Sequence, residues 1–229
     1  LYSCRDITKR KQREEALATL QETARDFLYA ETHQEIAQHI VDDTPGVMNL
    51  EASAVYLFDS DANDLTPSAY SARMRELNGP LPTVHADGET IPGYSFVEDE
   101  TLVFDNVHDA DRLENRATDL RSATYIPLGN HGVFIAGSNQ VGAFDEVMQE
   151  FADLLAATAE AALDRVTRES RLREQDRTLQ RQNEQLTELN RINETIREID
   201  QGLVQAETRD EIYHTVCELL TADDRFSFA

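Results

Sequence analysis

Apolar positions follow helical spacing at both ends of the chain and strand spacing in the middle. Across residues 8–30, Leu17, Leu20, Ala24, Phe27 and Leu28 share one helix face. A second helix starts at Thr32 and runs to about Asp43, with its stop around Pro45-Gly46. Runs at 54–59 and 65–71 read as strands, joined by the turn-rich Asp59-Ser60-Asp61-Ala62-Asn63-Asp64. Residues 73–92 contain three prolines and two glycines and read as a long loop. A short helix over 94–99, a strand over 101–104 and an irregular acidic stretch over 105–120 follow. Strands at 123–128 and 132–138 flank the turn signal Gly129-Asn130-His131. Phe144-Asp145-Glu146 then opens a helix with the stripe Val147, Phe151, Leu154, Leu155, Ala162 and Leu163. No glycine or proline interrupts residues 146–199, which is too long for an ordinary globular helix, so this helix is expected to leave its domain.

Within that helix the apolar period changes to seven. Leu172, Leu179 and Leu186 occupy a positions, followed by Asn193. The d positions are Gln175, Gln182, Leu189, Ile196 and Leu203. This is the seam of a parallel coiled coil with polar interruptions, so a homodimer through the helices is expected. The arginines from Arg165 to Arg181 interleave with carboxylates, as on a solvated coil surface. Small residues at Ala156-Ala157 and Ala161-Ala162 would let the 8–30 helix join a four-helix dimer interface. The other reading of the long helix is one that packs back on its own domain.

The chain also repeats itself. Ala30-Glu31-Thr32-His33-Gln34-Glu35-Ile36 matches Ala206-Glu207-Thr208-Arg209-Asp210-Glu211-Ile212. Thr32 with Glu35, and Thr208 with Glu211, have the spacing of a capping box. Apolar positions agree as well: Phe27 with Leu203, Leu28 with Val204, Ile40 with Val216. The second copy reaches Phe226-Ser227-Phe228, so residues 201–229 read as the truncated start of a second domain.

Charge sharpens this map. The 229 residues carry 21 basic and 44 acidic groups, a net charge of −23. Residues 17–163 hold six basic and 26 acidic groups, whereas residues 164–200 hold eight and nine. An acidic block is thus followed by a charge-balanced stalk. Phosphate contact needs basic surface, so nucleic acid is excluded as a partner of this stretch. Lys9 and Lys11 are the two lysines; the other basic residues are arginine. Excess carboxylate with almost no lysine fits a salt-loaded cytoplasm, where ions screen self-repulsion. Acidity alone would not remove lysine. Two cysteines, Cys4 and Cys217, rule out a disulfide scaffold and a four-thiolate zinc site. No apolar run is long enough for a membrane span and no signal peptide is recognisable, so the expected location is cytoplasmic.

The order of elements over 17–163 resembles a GAF domain, most specifically in Ile126-Pro127-Leu128 and in the helix start Phe144-Asp145-Glu146. The resemblance implies an α+β fold: an antiparallel sheet of five or six strands flanked by helices, with a ligand pocket under the long loops. The long coiled-coil helix follows it. Residues 198–229 resemble the start of a second GAF domain. Arg5-Asp6-Ile7-Thr8 before Lys9-Arg10-Lys11 resembles the exit of a PAS domain, with Leu1-Tyr2-Ser3-Cys4 as the tail of its last strand. The implied organisation is 1–16 PAS tail and linker, 17–163 GAF domain, 164–200 coiled-coil stalk and 201–229 second GAF start. With the salt-adapted composition, the whole is similar to sensory transcription regulators of halophilic archaea related to the bacterio-opsin activator.

Candidate chemistry is sparse. The histidines His33, His39, His85, His108, His131 and His214 show no metal-binding spacing, so no metal site is expected. No nucleophile elbow or phosphate loop is present, so no catalytic residue, cofactor or enzyme activity is expected. Some GAF relatives reduce methionine sulfoxide or hold a bilin through cysteines, but both cysteines here lie outside 17–163. Residues 145–203 lack histidine, which a phosphoacceptor helix would need. Cyclic-nucleotide relatives carry Asn-Lys before Phe-Asp-Glu, whereas Val141-Gly142-Ala143 stands here. Pocket candidates are Tyr70, Phe96, Arg121, Ser122 and Thr124, for an unidentified small molecule. Arg121 equally fits a surface pair with Asp119, and Tyr94, Phe96 and Phe104 fit an ordinary core. The stalk candidates are Leu172, Leu179, Leu186, Leu189, Asn193 and Ile196. These residues favour a sensory relay module. The alternatives are a ligand-free dimerisation spacer and, with no residues to carry it, a small-molecule-modifying enzyme.

Overall fold

The computed structural model describes residues 2–205 together with 208, 210, 213, 214 and 217; side chains are described for 11, for 13–201 and for 204, 208, 210, 213, 214 and 217. The second-domain start expected over 201–229, with its capping box and strand, falls largely outside the described residues.

Six antiparallel strands form one sheet in the order β3-β2-β1-β6-β5-β4. They are β1 (Ala52–Asp59), β2 (Asp64–Tyr70), β3 (Val84–His85), β4 (Leu102–Phe104), β5 (Ser122–Pro127) and β6 (Gly132–Ser138). The helices are α1 (Tyr2–Tyr29), α2 (His33–Met48), α3 (Ala72–Asn78), α4 (Ile91–Glu98) and α5 (Glu146–Gln205). This is the α+β sheet-and-helix arrangement that the resemblance implies.

Strand alternation sorts side chains onto two cores. Val55, Ala69, Ile126, Phe134 and Ala136 face α1, α2 and the first half of α5, against Phe27, Ile36, Ile40, Leu155 and Leu163. Ala54, Tyr56, Ala123, Tyr125, Val133 and Ile135 face the other way, toward Met74, Leu77, Ile91 and Leu120. Gly132 starts β6 at φ 150°, where a Cβ would lie 1.9 Å from the Tyr56 carbonyl oxygen. Only glycine lets β6 approach β1 there.

Helix ends follow their caps. The Thr32 hydroxyl accepts from Glu35 N at 3.1 Å, while the Glu35 carboxylate accepts from Glu31 N at 2.7 Å, one residue before the cap itself. Asp145 caps α5 by accepting from Met148 N at 2.9 Å, and Phe144 is buried in the helix-side core.

Three elements differ from expectation. Helix α2 runs through Pro45 to Met48. Proline cannot donate to the carbonyl four residues earlier. That carbonyl, Val41 O, instead accepts from the buried Ser53 hydroxyl at 3.4 Å, and the helix stops at Asn49 in the left-handed conformation. Residues 73–92 are not one loop. Ser71 caps α3 through Met74 N at 3.1 Å, Met74 and Leu77 are buried, and Val84–His85 adds an edge strand. Residues 2–4 belong to α1 rather than to a strand, and no described strand pairs with them.

The chain divides into two units, one ending at Arg168 and the other beginning at Glu169. In the first, Ala156 and Ala162 of the small-residue stretch are buried in the helix-side core, whereas Ala157 and Ala161 are exposed. In the second, the longest described part is the remainder of α5. Leu172, Leu179, Leu186, Leu189 and Ile196 are each 50–61% exposed, and Asn193 is exposed with them. Among the described residues, no helix is long and apolar enough to cross a membrane.

Candidate functional site

On the sheet face opposite α1 and α2, a cavity of about 390 Å³ opens between the strands and the segment that follows β2. That is the size of a small-molecule pocket, typically ~300–1,000 Å³. Tyr56 of β1, Tyr125 of β5 and Ile135 of β6 form its floor. Met74 and Asn78 of α3, then Pro80, Leu81 and Pro82, make one wall. Ile91 and Pro92 at the start of α4 and residues 112–115 make the other. Prolines fix much of the irregular wall, because each locks its own φ.

The floor is where the polar chemistry lies. Tyr56 and Tyr125 flank β6 in the sheet order and are nearly fully buried. Burial pushes both phenols up from their ordinary value; the neighbouring Tyr125 and the Glu114 carboxylate push Tyr56 further. Both therefore remain O–H donors throughout the physiological range. Among the described residues, neither hydroxyl makes a hydrogen bond that would occupy it. The wall is better satisfied. Arg112 Nε donates to Gly88 O at 3.0 Å, and its guanidinium lies 4.2 Å from the centre of the Tyr94 ring. Asn115 Nδ2 donates to Asn78 O at 2.6 Å, tying residues 112–115 to the end of α3. The arrangement offers two phenolic donors over an apolar floor, with one cation and one carboxylate at the wall.

The cavity lining does not include the five residues singled out from sequence. Ser122 and Thr124 lie on the same β5 face as Ile126, opposite Ala123 and Tyr125. Ser122 Oγ donates to Gln140 O at 2.7 Å and accepts from Ala143 N at 3.4 Å, so it fastens the connection into α5. Arg121 is exposed; its backbone N–H donates to Ser138 O at 2.8 Å. Tyr70 ends β2 and is 41% exposed. Phe96 packs on Phe58, with ring centres 4.7 Å apart, and Phe104 packs edge-on to Tyr125 at 6.0 Å. The lining residues sequence reasoning passed over are Tyr56, Tyr125, Arg112, Glu114 and Asn115. The first two had a signal: they follow the two-residue period of strands whose Ala54 and Ala123 face the same side. The other three lie in an irregular stretch with no period to read.

A second constellation lies on the helix side, on one turn of α5. Arg165 Nη2 donates to Phe27 O at 2.9 Å and Ala30 O at 2.5 Å, at the end of α1. Thr167 Oγ1 bonds His33 Nε2 at 2.8 Å, at the start of α2. Asp164 Oδ1 bonds His131 Nε2 at 2.8 Å, in the turn between β5 and β6. The two imidazoles lie 5.5 Å apart. Burial, then the His131 imidazole, lower the pKa of His33. Residues 164–167 thus hold α1, α2 and the β5–β6 turn together.

Residues 30–164, more than half of the chain, match the family model of the GAF domain. The chain belongs to the GAF-domain family. No curated protein matches it in sequence. Solved structures share the fold at low identity. The GAF domain of an Acinetobacter phosphoenolpyruvate-protein phosphotransferase is 16% identical, with TM-score 0.57 over 66% of this chain and 93% of that one. Free methionine-R-sulfoxide reductase from Neisseria meningitidis, solved with its substrate, is 18% identical, with TM-score 0.57 over 68% and 91%. A methyl-accepting chemotaxis protein fragment is 14% identical, with TM-score 0.52 over 63% and 96%. GAF domains are typical of sensory and signalling proteins, and the chemotaxis and phosphotransferase likenesses fall within that range. The two cysteines of this chain, Cys4 and Cys217, lie outside the matched segment.

Proposed function

We propose that this GAF domain is a non-enzymatic sensory relay, in which occupancy of the cavity alters the packing of α5 and so the pairing of a parallel helical stalk. The observation that carries the reading is the turn of α5 at residues 164–167, which ties three elements of the domain to one helix. A shift of β1 or β5 on cavity filling reaches that turn through β6 and His131. The ligand is a mostly apolar small molecule with acceptor atoms for the Tyr56 and Tyr125 hydroxyls. The exposed seam from Leu172 to Ile196 supports a homodimer, because apolar a and d positions bury themselves on a second helix. Gln175, Gln182 and Asn193 keep that seam marginal, as a two-state relay requires. The carboxylate-rich, lysine-poor composition supports a cytoplasmic protein of a halophilic archaeon, and the Arg5-Asp6-Ile7-Thr8 junction and the repeat at 206–212 support PAS and second GAF neighbours in a regulator of transcription.

A filled cavity mimics a ligand whose identity is open. Ile135→Phe places a ring over the floor, and deuterium exchange is followed along residues 160–205. The expected result is altered protection of the stalk in a dimer shown by sedimentation. Unchanged stalk exchange in a folded, filled variant would overturn the relay and leave a spacer. A wild-type chain that sediments as a monomer would remove the stalk pairing.

A further inference from the structure

We propose that Asp26, His39 and Asp43 form a site for one divalent transition-metal ion of the zinc class, which clips α1 to α2. Asp26 lies on α1; His39 and Asp43 lie one turn apart on α2 and so share a face. One ligand atom of each residue lies within 4.8 Å of those of the other two, and all three side chains are half-buried. The site is on the helix side of the sheet, away from the cavity.

The helix pair holds these donors in register. Thr19 faces Gly46, where a Cβ would come within 2.9 Å of the threonine methyl. Thr23 is fully buried and donates to Asp43 Oδ2 at 2.7 Å. Phe27 packs edge-on to His39, with ring centres 6.4 Å apart. Thr23 thus orients one carboxylate and Phe27 limits the imidazole, the supporting roles that outer-shell partners play around a metal.

Charge and donor type decide the ion. Two carboxylates and a neutral imidazole balance a dication. Among the described residues, no arginine or lysine forms an ion pair with Asp26 or Asp43. The imidazole nitrogen separates the set from a merely acidic cluster and favours zinc, cobalt or nickel over calcium or magnesium. Ligands at ~2.0–2.2 Å from a tetrahedral ion lie roughly 3.5 Å apart, so small side-chain rotations close the set, and water completes it. Spacing within the sequence does not reveal the site, because its donors come from two helices.

The test uses the untagged 229-residue chain, stripped with chelator and held in high salt to suppress loose binding to its many carboxylates. Co²⁺ is titrated by visible absorption and Zn²⁺ by calorimetry. One ion per chain is expected, with a raised melting temperature that Mg²⁺ does not reproduce. Asp26→Asn and His39→Gln should each weaken binding at least tenfold, and Thr23→Val by roughly tenfold. His85→Gln, on the edge strand β3, should leave binding unchanged. Absence of saturable one-to-one binding, an unaffected His39→Gln, or loss of binding in His85→Gln would each overturn the site. Should His39→Gln not fold, paramagnetic shifts of the His39 imidazole by Co²⁺ in the wild type decide the same question.

Discussion

Leu163 and Leu172 lie on one helix, yet Leu163 is fully buried whereas Leu172 is 59% exposed. The first belongs to the unit that ends at Arg168, where Leu155, Leu163 and Val166 complete a core begun by Phe27 and Ile40. The second belongs to the unit from Glu169, where Leu172, Leu179 and Leu186 repeat by seven and stay wet. Identical side chains therefore play different parts. In the body, leucine stabilises a fold complete in one chain. In the stalk, leucine stays exposed, and the proposed pairing with a second helix is what would bury it.

The largest expected effects would break this contrast if they failed to appear. Leu163→Ala should cost ~2–5 kcal/mol in denaturant unfolding, the range for a buried leucine that leaves a cavity. Leu179→Ala, measured on dilute protein, should stay within about 0.5 kcal/mol, as exposed positions do. Its effect should appear instead in sedimentation, as a weaker dimer. Equal costs in unfolding would mean that the seam is already buried within one chain.

Next in size is the turn that joins the body to its helices. Arg165→Met keeps the stem and removes the bonds to Phe27 O and Ala30 O. Bonds from a charged donor contribute ~1.5–3 kcal/mol, so thermal unfolding should show a loss of that order. Exchange protection at the end of α1 should fall with it. A variant as stable as wild type would mean that α5 does not hold α1 through this residue.

A smaller effect tests the capping reading. Thr32→Ala removes the hydroxyl that accepts from Glu35 N and should cost ~0.5–2 kcal/mol in unfolding of the body. The seam of the stalk should be indifferent to it.

The same contrast explains what could be read from sequence. Five of the six strands and the long helix carry periods that reappear in the structure, whereas the two-residue β3 has no period to read. Capping signals placed α2 and α5 within a residue or two. The misreadings came where a tertiary partner overrode a local rule. Pro45 marks a helix stop, but Ser53, distant in sequence, supplies the bond that lets α2 continue one more turn. The prolines and glycines of 73–92 hid α3, which is held by the Ser71 cap and by burial of Met74 and Leu77. In the candidate site, Ser122 and Thr124 look like pocket residues by polarity, yet strand parity sends them to the other face and brings Tyr125 to the cavity. Arg112, Glu114 and Asn115 were illegible because an irregular segment has no period.

Acidification sharpens the contrast last, because residues 145–203 contain no histidine and a response of the stalk helix between about pH 5 and 8 must come from outside that helix. In the body, His33 faces His131 across the α2 start and the β5–β6 turn, with Asp164, Arg165 and Thr167 on α5 and Arg168 nearby. Burial and then His131 lower its pKa in the folded state. The unfolded chain therefore binds a proton first, and stability rises with pH in that window. As pH falls below about 6.5, the unfolded value for histidine, the body should lose stability until the folded pKa is passed, then level off. Asp164 adds no slope in this window, since its bond to the His131 imidazole holds its carboxyl below the ordinary carboxylate range. The effect should be modest, and His33→Gln should flatten it while leaving the heptad seam untouched. A slope that persists in His33→Gln would place the titrating group elsewhere in the body.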